Sequence, residues 1–268
     1  MPDPAGEQEG AGLMEEREFD GRTALVTGGS RGIGRAICLR LASSGARVAV
    51  NYAANRRAAE ETRDRMTAAG GRAEVYRADV GDRDETGAMF DAVERDLGPV
   101  DLLVTNAGIA RSADALTMTA ETWHEIMRVN LDGTFHAVWR AKDGMVERGY
   151  GRIVCISSVL GLVPNPIAAE RMIAYGTSKA AIIGFVRQCA AGLGPEVRVN
   201  GVAPGYVATD MTADVSDEAH ARLTAAAALK RFGRSEEIAE LVHFLLSERS
   251  SFTTGQTHVA DGGYKFVP

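Results

Sequence analysis

Thr23-Ala-Leu-Val-Thr-Gly-Gly-Ser-Arg-Gly-Ile-Gly34 decides how this chain is read. Thr23 to Thr27 is a short, β-rich run of the kind that is buried in a parallel sheet, residues 28–34 are a glycine-rich turn, and residues 34–44 carry helical periodicity. A strand that runs through such a turn into a helix aims the helix's unpaired N–H groups at one spot, which suits an anion such as pyrophosphate. The spacing is G-x-x-x-G-x-G, not the commoner G-x-G-x-x-G, and alone it is equally compatible with a tight structural turn. Its place between the first strand and the first helix favours the phosphate reading.

Working outward, β-rich runs at residues 23–27, 46–51, 73–77, 102–105, 152–157, 197–203 and 257–260 alternate with helical patterns at 34–44, 56–69, 84–97, 120–148, 174–193 and 235–246. Repeated strand–helix alternation implies right-handed crossovers and a mostly parallel sheet covered on both faces. The expected fold is therefore α/β, a single doubly wound Rossmann-type domain with a seven-stranded sheet. The 268 residues, 45% hydrophobic and 25% charged, suffice for one large core, and no linker divides them. Residues 1–18, rich in Gly, Pro and Glu, are expected to be a disordered tail, not a secretory signal, leaving 19–268 as the domain.

A net charge of −6 without a basic cluster argues against a nucleic-acid partner, and no stretch is long and apolar enough to span a bilayer. Cys38, Cys155 and Cys189 are widely spaced in apolar patterns, as expected of buried reduced thiols in a cytoplasmic protein. His124, His136, His220, His243 and His258 lack metal-ligand spacing, and Trp123 and Trp139 sit in a helical pattern that assigns them to packing.

Tyr175-Gly-Thr-Ser-Lys179 adds chemistry. Residues four apart share a helix face, so the Lys179 ammonium can sit beside the Tyr175 phenol and favour its ionised form. The phenol then becomes a usable proton donor or acceptor, which an unperturbed Tyr is not at neutral pH. Ser158 follows the strand pattern Arg152-Ile-Val-Cys-Ile156 upstream. Each motif alone is ordinary: Tyr-x-x-x-Lys is usually a helix-surface pair, and Ser157-Ser158 can simply end a strand.

The chain as a whole resembles the compact short-chain dehydrogenases/reductases from about residue 19 to residue 264. The likeness rests on an ordered series: residues 27–34, Asp79-Val80, Asn106-Ala107-Gly108, Asn130, Ser158, Tyr175 with Lys179, and Pro204-Gly205 followed by Thr209. The resemblance implies that Gly28, Ser30, Arg31, Gly32, Ile33 and Gly34 hold a nicotinamide dinucleotide and that Asp79 and Val80 border its adenine. Asn106, Ala107 and Gly108 would pass beside it, and Pro204, Gly205, Val207 and Thr209 would line the nicotinamide end. Asn130, Ser158, Tyr175 and Lys179 would be catalytic. Tyr175 would exchange a proton with the substrate oxygen, Ser158 would orient that oxygen, Lys179 would hold the ribose and lower the Tyr175 pKa, and Asn130 would order water. Asp79 at a strand end has a structural alternative, capping backbone N–H groups.

Cofactor choice is read at the end of the second strand, where a carboxylate would bind the ribose hydroxyls of NAD and repel the phosphate of NADP. Residues 46–51 end in Asn51, and Arg31 offers a cation on the same side, so NADP(H) is favoured over NAD(H). Arg56 and Arg57 rank lower, since they can pair with Glu60 and Glu61 on their own helix. Within the family the chain looks most like 3-oxoacyl-[acyl-carrier-protein] reductases, implying a ketone or thioester substrate, a possible acyl carrier protein partner and a homotetramer. An alcohol dehydrogenase working oxidatively and a non-catalytic dinucleotide sensor are the alternatives. Three departures stand out: Thr105 where an Asn is frequent, a long Ser158-to-Tyr175 interval with residues 165–172 expected to border the substrate pocket, and no basic residues in 190–196 to meet an acidic carrier.

Overall fold

The computed structural model describes residues 17–111, 116–163, 172–213 and 215–264. Seven parallel strands form one sheet in the order β3-β2-β1-β4-β5-β6-β7: β1 Thr23–Val26, β2 Arg47–Tyr52, β3 Arg72–Arg77, β4 Val100–Thr105, β5 Gly151–Ile156, β6 Val197–Pro204 and β7 Thr257–Ala260. This is the doubly wound sheet the alternation predicts. The helices are α1 Gly32–Ser43, α2 Arg56–Ala68, α3 Arg83–Leu97, α4 Ala120–Met127, α5 Gly133–Glu147, α6 Ile173–Leu193, α7 Asp217–Ala226 and α8 Ser235–Leu246.

Alternation along each strand divides the core into two layers. Ala24, Val26, Leu102, Val104 and Val154 pack with Ile37 and Leu41 of α1 and Val242 and Leu246 of α8. Leu25, Leu103, Ile153 and Cys155 turn to the other face, against Phe90 of α3, Val138 of α5 and Val186 of α6. Complete burial on both faces explains why the strands read as apolar runs and not as alternating ones.

The structure refines several expectations. The 120–148 helix is interrupted by a five-residue π-turn, Arg128–Asp132, and α7 was not anticipated. Glu18, assigned to the tail, reaches Arg249 at 3.4 Å, and Phe19 is buried, its N–H donating to the Ser44 carbonyl at 2.9 Å. All three cysteines are free and buried. Trp139 departs from the packing assignment: it is 48% exposed and stacks on Phe135 with ring centroids 4.8 Å apart. No helix among the described residues is long and apolar enough to cross a membrane.

Candidate active site

The site lies where the topology changes direction, at the C-terminal ends of β1, β4, β5 and β6. Three interlocked pieces build its floor. The first is the glycine turn, where a Cβ on Gly28 would stand 2.9 Å from the Ala107 Cα and one on Gly34 would stand 2.2 Å from the Gly28 carbonyl oxygen. Glycine at both positions is a packing requirement, quite apart from any ligand. Thr27 and Asn106 join this turn to the end of β4: the Thr27 hydroxyl accepts from the N–H groups of Asn106 (3.0 Å) and Ala107 (3.1 Å), and the Asn106 amide donates to the carbonyls of Thr27 and Gly28, both at 3.0 Å.

From the other side, Arg35 clamps the Ser30 carbonyl through Nε (3.1 Å) and Nη2 (2.8 Å), and the Thr62 hydroxyl donates to the same oxygen at 3.0 Å. Neither Arg35 nor Thr62 was singled out from sequence. Their signal was faint, a polar residue on the inner side of each of the first two helices.

Asn51 corrects an expectation. β2 extends through Tyr52, and the Asn51 side chain, 1% exposed, turns under the glycine turn and not toward a ribose. Its oxygen accepts the Gly28 N–H at 3.1 Å, while its nitrogen donates to the carbonyls of Ala78 (3.1 Å) and Tyr76 (3.4 Å). Beyond the strand, Tyr52-Ala-Ala-Asn55 contains no carboxylate, and Asn55 caps α2. Arg56 and Arg57 pair with Glu60 and Glu61, the alternative raised from their spacing.

A dinucleotide fits the residues present. The N-terminus of α1 has no side-chain cap and no acidic residue in its first turn, so its leading N–H groups form a donor set facing the turn. Gly28, Ser30, Arg31, Gly32, Ile33 and Gly34 surround that end. Asp79 and Val80 lie at the end of β3, where Asp79 has structural partners: Arg128 Nη1 at 2.9 Å and the Gly81 N–H at 2.9 Å. Pro204 ends β6, and the following segment is tied down by Gly205 N–H to the Ala260 carbonyl (3.0 Å) and by a Val207 bridge to Gly233. Thr209 caps the short turn Asp210–Thr212. Arg31 is not free; its Nη1 donates to Asp210 at 3.3 Å.

The polar centre is built from β5 and α6. Ser158, just past β5, accepts the Leu160 N–H at 3.2 Å, and its hydroxyl is near enough to the phenol of Tyr175, in the first turn of α6, to favour the ionised form of that phenol. One turn on, Lys179 is 4% exposed, its Nζ donating to the Ile156 carbonyl at 2.9 Å and lying 5.6 Å from the centre of the Tyr175 ring. The four-residue spacing does bring the pair together. The expected electrostatic outcome is reversed: burial raises the Tyr175 pKa, with the Ser158 hydrogen bond opposing it, and Lys179 is not among the causes. Burial also pulls the Lys179 ammonium down to about 8.

Asn130 ties parts of the site together. The π-turn carries its side chain inward, fully buried, where its oxygen accepts the Ile109 N–H at 2.8 Å and its nitrogen donates to the Ile109 carbonyl and the Ser178 hydroxyl, both at 3.0 Å. Asn130 thereby ties the Asn106-Ala-Gly108 turn to the helix that carries Tyr175 and Lys179. Ser178, unremarked in the sequence, completes the link by donating to the Tyr175 carbonyl at 2.7 Å. Of the expected pocket loop, residues 165–171 lie outside the described residues, and Met172 stands at the start of α6. Among the described residues there is no group of three or more His, Cys, Asp or Glu side chains able to hold a metal.

Against known proteins, a family model described as enoyl-(acyl carrier protein) reductase matches residues 28–265. The chain belongs to the short-chain dehydrogenase/reductase family. A 3-oxoacyl-[acyl-carrier-protein] reductase of Staphylococcus aureus is 40% identical over 243 residues, covering 90% of this chain and 97% of that one. Among solved structures, a 3-oxoacyl-[acyl-carrier protein] reductase from Brucella melitensis superposes with a TM-score of 0.87 at 36% identity, covering 94% of each chain. A gluconate 5-dehydrogenase from Burkholderia cenocepacia, in complex with NADP and tartrate, gives 0.86 at 32% identity, covering 93% of this chain and 97% of that one. Family membership agrees with the order of motifs and makes the chain an oxidoreductase.

Proposed function

We propose that this chain is an NADPH-dependent ketoreductase that reduces a 3-oxoacyl thioester or a related ketone to the hydroxy compound. The observation that carries the reading is the placement of Ser158, just past β5, and Tyr175, in the first turn of α6, beside the glycine turn and backed by buried Lys179, whose Nζ lies 5.6 Å from the centre of the Tyr175 ring. A bound dinucleotide would supply the hydride. Tyr175, whose raised pKa keeps it protonated at neutral pH, donates its proton to the carbonyl oxygen as charge develops there. Ser158 donates to that same oxygen and fixes its angle. Lys179 holds the ribose hydroxyls through its cationic form. Asn130 acts by positioning, keeping the Ile109 backbone and Ser178 in register with Tyr175.

NADP(H) over NAD(H) is supported by the cationic Arg31 in the glycine turn and by the acid-free stretch Tyr52-Ala-Ala-Asn55. The substrate class is supported by the named 3-oxoacyl reductase relatives, and acetoacetyl thioesters of acyl carrier protein and of coenzyme A distinguish the two carriers. We further propose a cytoplasmic homotetramer. Its support is an exposed apolar face on α5, where Phe135, Trp139 and Val146 are 38%, 48% and 40% exposed.

Steady-state rates with NADPH and NADH against acetoacetyl thioesters, and with NADP+ and NAD+ against gluconate, test the proposal directly. Thioester reduction with NADPH is expected to exceed gluconate oxidation, and the reverse ranking would overturn the substrate assignment. Tyr175→Phe is expected to lower turnover by at least ~100-fold with little change in dinucleotide affinity. Near-normal turnover in the folded variant would remove Tyr175 from the chemistry.

A further inference from the structure

Arg31 and Asp210 are 179 residues apart, yet their side chains meet across the mouth of the glycine turn at 3.3 Å. Beside this pair, a Cβ on Gly32 would lie 3.4 Å from the Thr209 side chain, so the segment after β6 touches the glycine turn at two neighbouring points. That segment has its own internal ties. The Thr212 hydroxyl shares its proton between the carbonyls of Val207 (2.8 Å) and Thr209 (3.0 Å) and accepts the Thr209 N–H at 3.1 Å, which makes residues 209–212 a small unit hung from the anchored Val207.

We infer that Asp210 is a determinant of dinucleotide selectivity: its carboxylate holds Arg31 against the segment after β6, and a 2′-phosphate binds by taking that arginine from it. The inference rests on the NADP(H) reading above and adds a competitor and a consequence. The existing bond is weak, since both partners are exposed (63% and 70% of their side-chain surface) and one nitrogen faces one oxygen. A phosphate carries more charge and presents several acceptors to the guanidinium fork, so exchange of partner favours the phosphate. Dinucleotides without that group leave the pair intact. The same side chain thus reads the 2′ position and reports it to the segment bordering the nicotinamide end.

Hydrogen exchange of the full chain tests this without turnover. Adenosine 2′,5′-bisphosphate and AMP serve as fragments, each at saturation by its own calorimetric Kd. The bisphosphate is expected to raise amide exchange across residues 209–213 relative to AMP. Asp210→Asn is expected to show that higher exchange without any fragment, and to bind the bisphosphate roughly 2–5-fold more tightly while AMP affinity stays the same, the size expected from removing an exposed ion pair. Equal exchange in this segment with both fragments, when the bisphosphate binds more tightly, would overturn the inference and leave the NADP(H) reading standing. If the bisphosphate binds no better than AMP, the NADP(H) reading itself falls, and the pair is a fixed strut.

Discussion

Asn51→Asp separates two readings of one residue. If Asn51 faced the ribose, a carboxylate there would turn the enzyme toward NADH. The structure instead gives it three hydrogen bonds to backbone groups of the glycine turn and of β3 and its end, with 1% exposure. The substitution keeps shape and keeps the acceptor for the Gly28 N–H. It removes the donor to the carbonyls of Ala78 at 3.1 Å and Tyr76 at 3.4 Å and sets a negative oxygen against both. One well-made bond and one long one lost, at about 1–3 kcal/mol per buried orphan, plus desolvation of the charge, give a loss of about 2–4 kcal/mol. For a domain of this size that is a fall in Tm of roughly 5–15 °C. Burial raises the pKa of the new carboxyl above its unfolded value, so the folded chain retains a proton that the unfolded one releases. Stability of the variant therefore declines as pH rises through that window, and the deficit is smallest in acid. Thermal unfolding at several pH values, with Michaelis constants for NADPH and NADH, makes the comparison. A variant that melts with wild-type Tm and prefers NADH would refute the buried-brace reading.

Lys179 and the glycines supply two further tests. With the Lys179 ammonium pulled down to about 8, the folded chain loses a proton that the unfolded chain keeps until the ordinary lysine range. Stability contributed by this group therefore rises with pH above about 8, whereas dinucleotide affinity falls there as the cation is lost. Fluorescence titrations on either side of that pH, with Lys179→Arg expected to flatten the profile, check this; a flat wild-type profile would count against a cationic role. Gly34→Ala would force a Cβ to within 2.2 Å of the Gly28 carbonyl oxygen and 2.6 Å of the Asn106 amide nitrogen, at a cost of about 3 kcal/mol or more. Gly87→Ala in α3 has nothing within 4 Å of the new carbon and is expected to stabilise by ~0.5–1 kcal/mol. Urea midpoints for both read the contrast, and shifts of the same sign would contradict the packing argument.

What the sequence determined by itself was local and periodic. The apolar run 23–26, the glycine spacing behind it and the repeated strand–helix alternation were enough to specify a parallel, doubly covered sheet, because each is fixed by backbone geometry within a few residues. The spacing of Tyr175 and Lys179 likewise survives translation into structure, since one helical turn joins them. Tertiary structure decided where polar side chains point. Asn51 turns under the glycine turn only because β2 lies between β1 and β3. Asn130 faces Ile109 and Ser178 only because a π-turn rotates it inward, and Arg31 meets Asp210 only because the segment after β6 returns to the first turn. The Tyr175 pKa follows the same division: four-residue spacing predicts a charge effect, but burial, a property of the packed fold, sets the direction of the shift. Contacts between residues tens to hundreds of positions apart depend on how crossovers stack the elements, and no local pattern carries that information.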